Sequence, residues 1–521
     1  MGSEGPRRSL QPRADLCVMW FRRDLRLDDN PALAAACAAG RGRVLPVYCL
    51  DPREEGLGAR GLPRRSAWAA QLLIESLTDL RSKLKRVGSD LLVRRGPPEE
   101  LLLDVAQLYG ATQLFTHEAQ TPEEAEALRA VEAACVREGV ALRVVEGGAL
   151  YHRARLPFAE GLEDLPRDFL SFRRALERAS PRAPELPIAR LLPLPLGVSL
   201  GRLPSLADLG HEGAEVARAQ GRALGGEAQA LRRLKEYVWE RRLLERAYQA
   251  RRALAGEEVS ARLAAWLNLG CLSPRRVWYE ALAFEGRHGQ SLGVYQLVYH
   301  LMLRDFMILH AQRGGRRLYE GGLFGGAGGA GGAGDAGGAG VASSEQLELF
   351  GVWCAGRTGF PLVDACMRSL AATGGLSAQG RWVVSWFLTR RLGLPWGWGA
   401  ECFAALLADY HPALTWGYFQ AAAGVGVGVS EAPPHPVWAG RAVDWGGEFV
   451  RRWVPELAGL PAEVVYEPHL LDEGWQAHLS VRLGVDYPYP VVPPAPLAPP
   501  FGERALGGRL LERVWRRFPG A

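Results

Sequence analysis

The chain has 521 residues, 48% of them hydrophobic and 23% charged, with a net charge of +5. That length and balance suit a folded protein of two or three domains, and no apolar run approaches the roughly 20 residues that cross a bilayer. Of 62 basic residues only Lys83, Lys85 and Lys235 are lysine, so the mild positive charge leaves nucleic-acid binding open without arguing for it. Eight cysteines without a C-x-x-C pair exclude a disulfide framework, and ten histidines without ligand spacing give no metal site. Reduced thiols suit the cytoplasm or nucleus, with an organelle left open.

The first residues carry arginines but no apolar segment, unlike a secretory signal. Residues 14–150 then alternate short apolar runs with helical patterns. The expected strands are Leu16–Trp20, Val44–Leu50, Leu91–Arg94, Gln113–His117 and Ala141–Val145. Asn30 caps one intervening helix ahead of Pro31, and Thr121-Pro122-Glu123-Glu124 reads as a capping box for another. This alternation predicts a doubly wound parallel α/β domain with helices on both faces. Residues 151–224 form a Pro-rich connector with a helical piece at Asp168–Arg178. Strand signals fade after that, and residues 225–492 are expected to be all helical. A Gly-rich insert at 321–342 supplies the chain's G-x-G-x-x-G matches, which low complexity empties of meaning. Residues 493–521 are a tail, with Pro488–Pro500 extended.

The most informative stretch runs from Trp353 to Arg381. A Gly-Arg-Thr-Gly-Phe-Pro turn at Gly356–Pro361 leads into a helix with apolar positions Leu362, Val363, Ala365, Cys366 and Leu370, which breaks at Gly374-Gly375. Asp364 and Arg368 stand at i and i+4 in the favourable order for an ion pair. By spacing alone this is an ordinary capped core helix.

The literal string, together with Val18-Met19-Trp20-Phe21-Arg22-Arg23-Asp24-Leu25-Arg26, resembles the photolyase/cryptochrome flavoproteins across roughly Asp15 to Val492. Leu150-Tyr151-His152, Leu156-Pro157-Phe158 and Arg232–Trp239 look nearest to the DASH branch of cryptochromes. The resemblance implies an α/β antenna-binding domain followed by a helical domain holding FAD in a bent form. It implies a soluble monomer that binds DNA, in single-stranded form, with weak repair of cyclobutane pyrimidine dimers. In the family, a folate antenna passes light energy to reduced FAD, from which an electron reaches the dimer.

Carried over residue by residue, Tyr248 and Ser260-Ala261-Arg262-Leu263-Ala264 match the phosphate-binding tyrosine and hydroxyl-rich loop. Only the first hydroxyl, Ser260, is kept. Arg381 matches the arginine packed on the flavin, Asp409 the carboxylate that pairs with it, and Arg304 a further arginine at the cofactor. His411 stands where the family has a second aspartate, Thr415 where an asparagine faces flavin N5, and Ala378 where another asparagine lies. The three-tryptophan electron chain falls on Phe419, Trp396 and Ser343, leaving Trp396 alone and light-driven flavin reduction slow or absent. The dimer-binding glutamate is His300 and the two aromatic walls fall at Leu303 and Ala421, with Trp382 and Trp416 as neighbouring rings that can refill the space. Glu118 matches the acid that grips the folate pterin, which for the DASH branch is 5,10-methenyltetrahydrofolate. These substitutions leave a second expectation open: a former photolyase that binds DNA or regulates, with poor flavin occupancy.

Overall fold

The computed structural model describes residues 15–159, 161–176, 179, 181–184, 187–188, 190–212, 225–250, 260–321, 342–426 and 436–494. Residues 322–341 of the insert expected at 321–342 and residues 495–521 of the tail expected at 493–521 lie outside the described residues, as do the side chains of 248–250 and 438.

Five strands, β1 (Cys17–Phe21), β2 (Val44–Leu50), β3 (Leu92–Arg95), β4 (Gln113–His117) and β5 (Ala141–Val145), form one sheet in the order β3-β2-β1-β4-β5. Every neighbouring pair is parallel. Strands β1 and β3 sit one residue later than expected, and the other three fall as read from the sequence. All residues of β1 and β2 are buried, as near-continuous apolar runs covered on both faces require. Cys17, Met19 and Phe21 point into one core and Leu16, Val18 and Trp20 into another, following the two-residue period of a strand. The intervening helices are α1 (Pro31–Ala39), α2 (Ala67–Arg86), α3 (Pro98–Tyr109) and α4 (Pro122–Glu138).

Asn30 caps α1 by accepting from the Leu33 amide at 3.0 Å. Thr121 caps α4 through the Glu124 amide, but the expected reciprocal box is not closed. The Glu124 carboxylate accepts from the Gln120 amide at 2.8 Å and pairs with Arg23 at 2.8 Å. Its two oxygens thus divide between the amide one residue before the cap and a distant cation, a charge-assisted contact stronger than one to a neutral donor.

The helical half comprises α5 (Phe169–Ala175), α6 (Glu227–Lys235), α7 (Leu243–Ala250), α8 (Ala264–Asn268), α9 (Pro274–His288), α10 (Leu292–Gly314) and α11 (Arg317–Glu320). It continues with α12 (Ser344–Cys354), α13 (Pro361–Thr373), α14 (Ala378–Trp386), α15 (Trp396–Leu406), α16 (Pro412–Ala423), α17 (Pro436–Val443), α18 (Glu448–Trp453) and α19 (Glu473–His478). One core runs from the sheet into α10, where Phe306 meets Phe169 and Phe172. A second core is built around Trp353, Phe387, Phe403 and Tyr487.

The Asp364/Arg368 spacing on α13 serves two separate purposes. Asp364 is fully buried and accepts from the Thr358 amide (2.7 Å), the Thr358 hydroxyl (2.6 Å), the Gly359 amide (3.0 Å) and the Tyr487 hydroxyl (2.5 Å). Arg368 turns instead to the Gly356 carbonyl and to Glu456. The carboxylate thus gathers three donors of the turn before its own helix and the distant Tyr487 hydroxyl, in place of an i,i+4 pair. Gly359 sits at φ 77° against the Tyr489 carbonyl, closer than a side chain allows.

Between β1 and α1 the loop Arg22–Asn30 is buried and charged, and it fastens the two halves. Arg26 donates to the carbonyls of Asp29, Gly147 and Gly270. Glu227, on α6, accepts from the Leu27 and Asp28 amides. Asp29 takes a two-pronged pair from Arg275 at 2.9 and 2.7 Å, and Asp28 takes one from Arg276. The Arg275–Asp29 pair is almost wholly buried, with side chains 3% and 0% exposed, whereas Arg276 is 27% exposed. Arg275→Ala strips a buried carboxylate of its guanidinium and is expected to cost about 3–5 kcal/mol, against about 1 kcal/mol or less for Arg276→Ala. Chemical denaturation of the two variants checks the ordering.

Candidate functional site

The sheet order reverses between β1 and β4, and ligands of open α/β sheets bind beyond the strand ends at such a point. Glu118 lies just beyond such a strand end, in one candidate region, and the Arg22–Asn30 loop reaches a second, polar cluster through Arg23.

The first is a cleft of about 490 Å³. Glu118, the residue after β4, lies in its wall beside Thr121, Glu146, Arg153 and Gln312. Arg153 approaches the Glu118 carboxylate at 3.7 Å and donates to Gln312 at 3.1 Å. Gln312 in turn donates to the Ala119 carbonyl at 2.7 Å, tying α10 to the strand end. Burial, and then the neighbouring Glu146, push the Glu118 carboxyl up to about 7 from its ordinary 4.5, against the pull of Arg153. Near neutral pH such a group can accept or donate a hydrogen bond.

The second region is a polar cluster around Asp409. Arg381, in the first turn of α14, donates to both Asp409 oxygens at 2.7 Å and is steadied by the Leu376 carbonyl. Asn268, the last residue of α8, donates to the Asp409 carbonyl at 2.5 Å. Arg23 donates to the Asn268 carbonyl at 3.2 Å, so the α/β half reaches into the cluster. His411 precedes α16 at its cap position but makes no capping hydrogen bond. It is fully buried, and burial together with Arg23 and Arg304 holds its imidazole well below the ordinary range, hence neutral.

Arg304 spends its terminal donors on Gly148, Gln120 and Leu267. Burial lowers its guanidinium to about 10. The next residue, Asp305, accepts from the Leu150 and Tyr151 amides. Leu303-Arg304-Asp305 is therefore first a staple between α10 and the segment after β5.

Among the described residues, five buried side-chain atoms near these groups have no hydrogen-bond partner: Asn268 Oδ1, Arg304 Nε, His411 Nδ1, His411 Nε2 and Trp382 Nε1. Each unpaired buried group costs roughly 1–3 kcal/mol. A donor and acceptor set of this kind beside an arginine–carboxylate pair fits the polar edge of a flavin ring.

The remaining sequence-named residues are distributed as follows. Ser260 is exposed, and its carbonyl and that of Ala261 are held by Arg233. Arg262 adopts φ 53° and Leu263 is buried at the entry to α8. The side chain of Tyr248 lies outside the described residues. Thr415 is buried in the first turn of α16. His300 is exposed on α10 with its ring against Tyr299, and Leu303 is half-buried one turn on. Trp382 meets Tyr418 edge-on at 6.3 Å, and Ala421 is half-buried on the same helix as Tyr418.

Trp396 lies in a group of aromatic rings. Its ring meets Trp416 at 5.7 Å, and Trp416 meets Tyr319 at 4.7 Å and donates to the Tyr410 hydroxyl at 3.0 Å. Phe419 is buried against Phe403 at 5.0 Å. Ser343 closes a full capping box on α12 with Gln346. Sequence reasoning missed Arg23 and Asn268 as members of the cluster; a lone amide in the apolar run Trp266–Leu269 was the available signal for the second.

Comparison with known proteins gives these regions a family. A family model described as the FAD binding domain of DNA photolyase matches residues 338–496, and one described as DNA photolyase matches residues 17–189. A cryptochrome DASH from Gloeobacter violaceus is 40% identical over 482 residues, covering 91% of this chain and 92% of that one. One from Xenopus laevis is 36% identical, covering 92% and 90%. The crystal structure of a Synechocystis cryptochrome superposes with a TM-score of 0.83 at 32% identity over 92% of this chain and 96% of that one. A class III photolyase from Agrobacterium tumefaciens gives 0.78 at 26% identity, covering 98% and 97%. The chain belongs to the photolyase/cryptochrome family of FAD-binding flavoproteins, and within it to the cryptochrome DASH branch.

Because the Glu118 carboxyl titrates above its unfolded value, its protonated form stabilises the fold below about pH 4.5. That contribution is lost as pH rises through about 7. Glu118→Gln is expected to match the parent stability near pH 4 and to exceed it at pH 8 by roughly 2–3 kcal/mol. Urea denaturation across that range is the check, and a pH-independent difference contradicts the assignment.

Proposed function

We propose that this cryptochrome DASH takes a folate antenna, 5,10-methenyltetrahydrofolate, in the Glu118 cleft and acts on pyrimidine dimers in single-stranded DNA with weak activity. The observation that carries the reading is the Glu118 cleft itself. A half-buried carboxyl with a displaced titration, at a strand end and the sheet's reversal point, suits the paired N–H donors of a pterin. About 490 Å³ falls within the usual range for small-molecule sites.

FAD, when bound, supplies the light-absorbing and electron-donating ring. Arg381 places a permanent positive charge beside it, and Asp409 fixes the guanidinium plane through its two-oxygen contact. Asn268 and the neutral His411 offer hydrogen bonds to its polar edge, and the Thr415 hydroxyl offers one more. Ser260 and the amides near it serve the pyrophosphate. Trp382 and Tyr418 provide rings on which an extruded base can stack. His300, Leu303 and Ala421 supply neither a carboxylate nor an aromatic wall, which supports weak activity and a requirement for single strands, where no unpairing energy is spent. The unpartnered atoms around Asp409 argue against the alternative of a flavin-poor protein, since an empty site would leave their cost unmet.

Arg381→Ala is expected to weaken FAD binding about 10–100-fold, the value of one or two charge-assisted hydrogen bonds; fluorescence titration reads it. Glu118→Ala should lose the folate absorption band while keeping the flavin bands. Illumination of dimer-containing oligonucleotides should yield repair of the single strand and not of the duplex. Equal repair of both, or folate retained by Glu118→Ala, refutes the proposal.

A further inference from the structure

All eight cysteines are free thiols, and two of them meet. Cys354 is the half-buried last residue of α12, and Cys402 is buried in the middle of α15. Their Sγ atoms lie 3.3 Å apart although the residues are 48 positions apart in sequence. A disulfide requires about 2.05 Å, so closing the pair asks for a movement of roughly 1.3 Å.

We propose that Cys354 and Cys402 form a reversible dithiol–disulfide site, oxidised by a small disulfide such as oxidised glutathione and reduced by dithiols. Neither the flavin cluster nor the Glu118 cleft contributes to it. The more accessible Cys354 attacks first. Its thiolate bonds to one sulfur of the small disulfide, whose S–S bond breaks and releases one thiolate. Cys402 then loses its proton and attacks Cys354 Sγ, forming the Sγ–Sγ bond and releasing the second thiolate. Two electrons and two protons pass from the protein to the oxidant, which leaves as two thiols. Contact with Cys354 and burial hold the Cys402 thiol well above its ordinary range, which suits the second position in this order and not the first.

The bond would join α12 to α15 at the end of an aromatic column. Trp353 and Phe403, the residues next to the two cysteines, stack at 6.3 Å, and Phe403 meets Phe419 of α16 at 5.0 Å. Oxidation therefore fixes the packing behind Phe419, two helices from Arg381.

The test is to equilibrate the full chain with oxidised glutathione, quench with acid, count thiols after denaturation and map peptides without reduction. The expected result is loss of two of the eight titratable thiols, a peptide link between Cys354 and Cys402, and full recovery with dithiothreitol. Neither Cys354→Ser nor Cys402→Ser should form the link, and circular dichroism confirms that each is folded. An unchanged thiol count, glutathione retained on Cys354, or a link between any other pair overturns the proposal.

Discussion

The buried charge network of the Arg22–Asn30 loop is the constraint on which the rest depends. Nine residues after one strand supply the partners that three helices need: Glu227 on α6, Arg275 and Arg276 on α9, and the start of α1. Removing these charges from water is expensive, and only full pairing makes it tolerable. Such a network specifies one arrangement of the two halves, because any slip leaves a buried carboxylate or guanidinium unmatched. Arg23 then arrives beside Asn268, and the strand end at His117 arrives beside α10, so both functional regions inherit their geometry from this seam.

Much of the fold was legible in the sequence, and for a simple reason. Strands buried on both faces read as unbroken apolar runs, and Asn30 and Asp168 announce helix starts by local hydrogen bonds that need nothing distant. What could not be read were partnerships across long separations. Glu124 divides its carboxylate between the Gln120 amide and Arg23, about a hundred residues away in sequence, and Asp364 serves a turn and Tyr487 in place of Arg368 one turn along. Pattern reasoning sees spacing along one helix; it does not see a stronger donor arriving from elsewhere. The same limit applies to the site. Family motifs pointed to Arg381 and Asp409, whose ion pair lies at 2.7 Å, but gave no warning that Arg304 spends its terminal donors on three oxygens of the protein, leaving only Nε unpartnered. Nor did they hint that Trp416 joins Trp396 to Tyr319.

The polar cluster around Asp409 holds one neutral imidazole among charged groups. Burial, with Arg23 and Arg304 adding to it, keeps His411 uncharged. Both cations already have partners, Arg23 on Glu124 and Arg304 on three protein oxygens, so the imidazole is left with two ring nitrogens to offer as donor and acceptor.

The central claim is that the atoms left unpartnered around Asp409 are completed by FAD. A crystal structure of the FAD-loaded protein tests it most directly. The account predicts the ring within hydrogen-bond reach of His411 and Asn268 Oδ1, with Arg381 alongside and still paired to Asp409. A flavin bound elsewhere, or one that leaves His411 and Asn268 without contact, would contradict it.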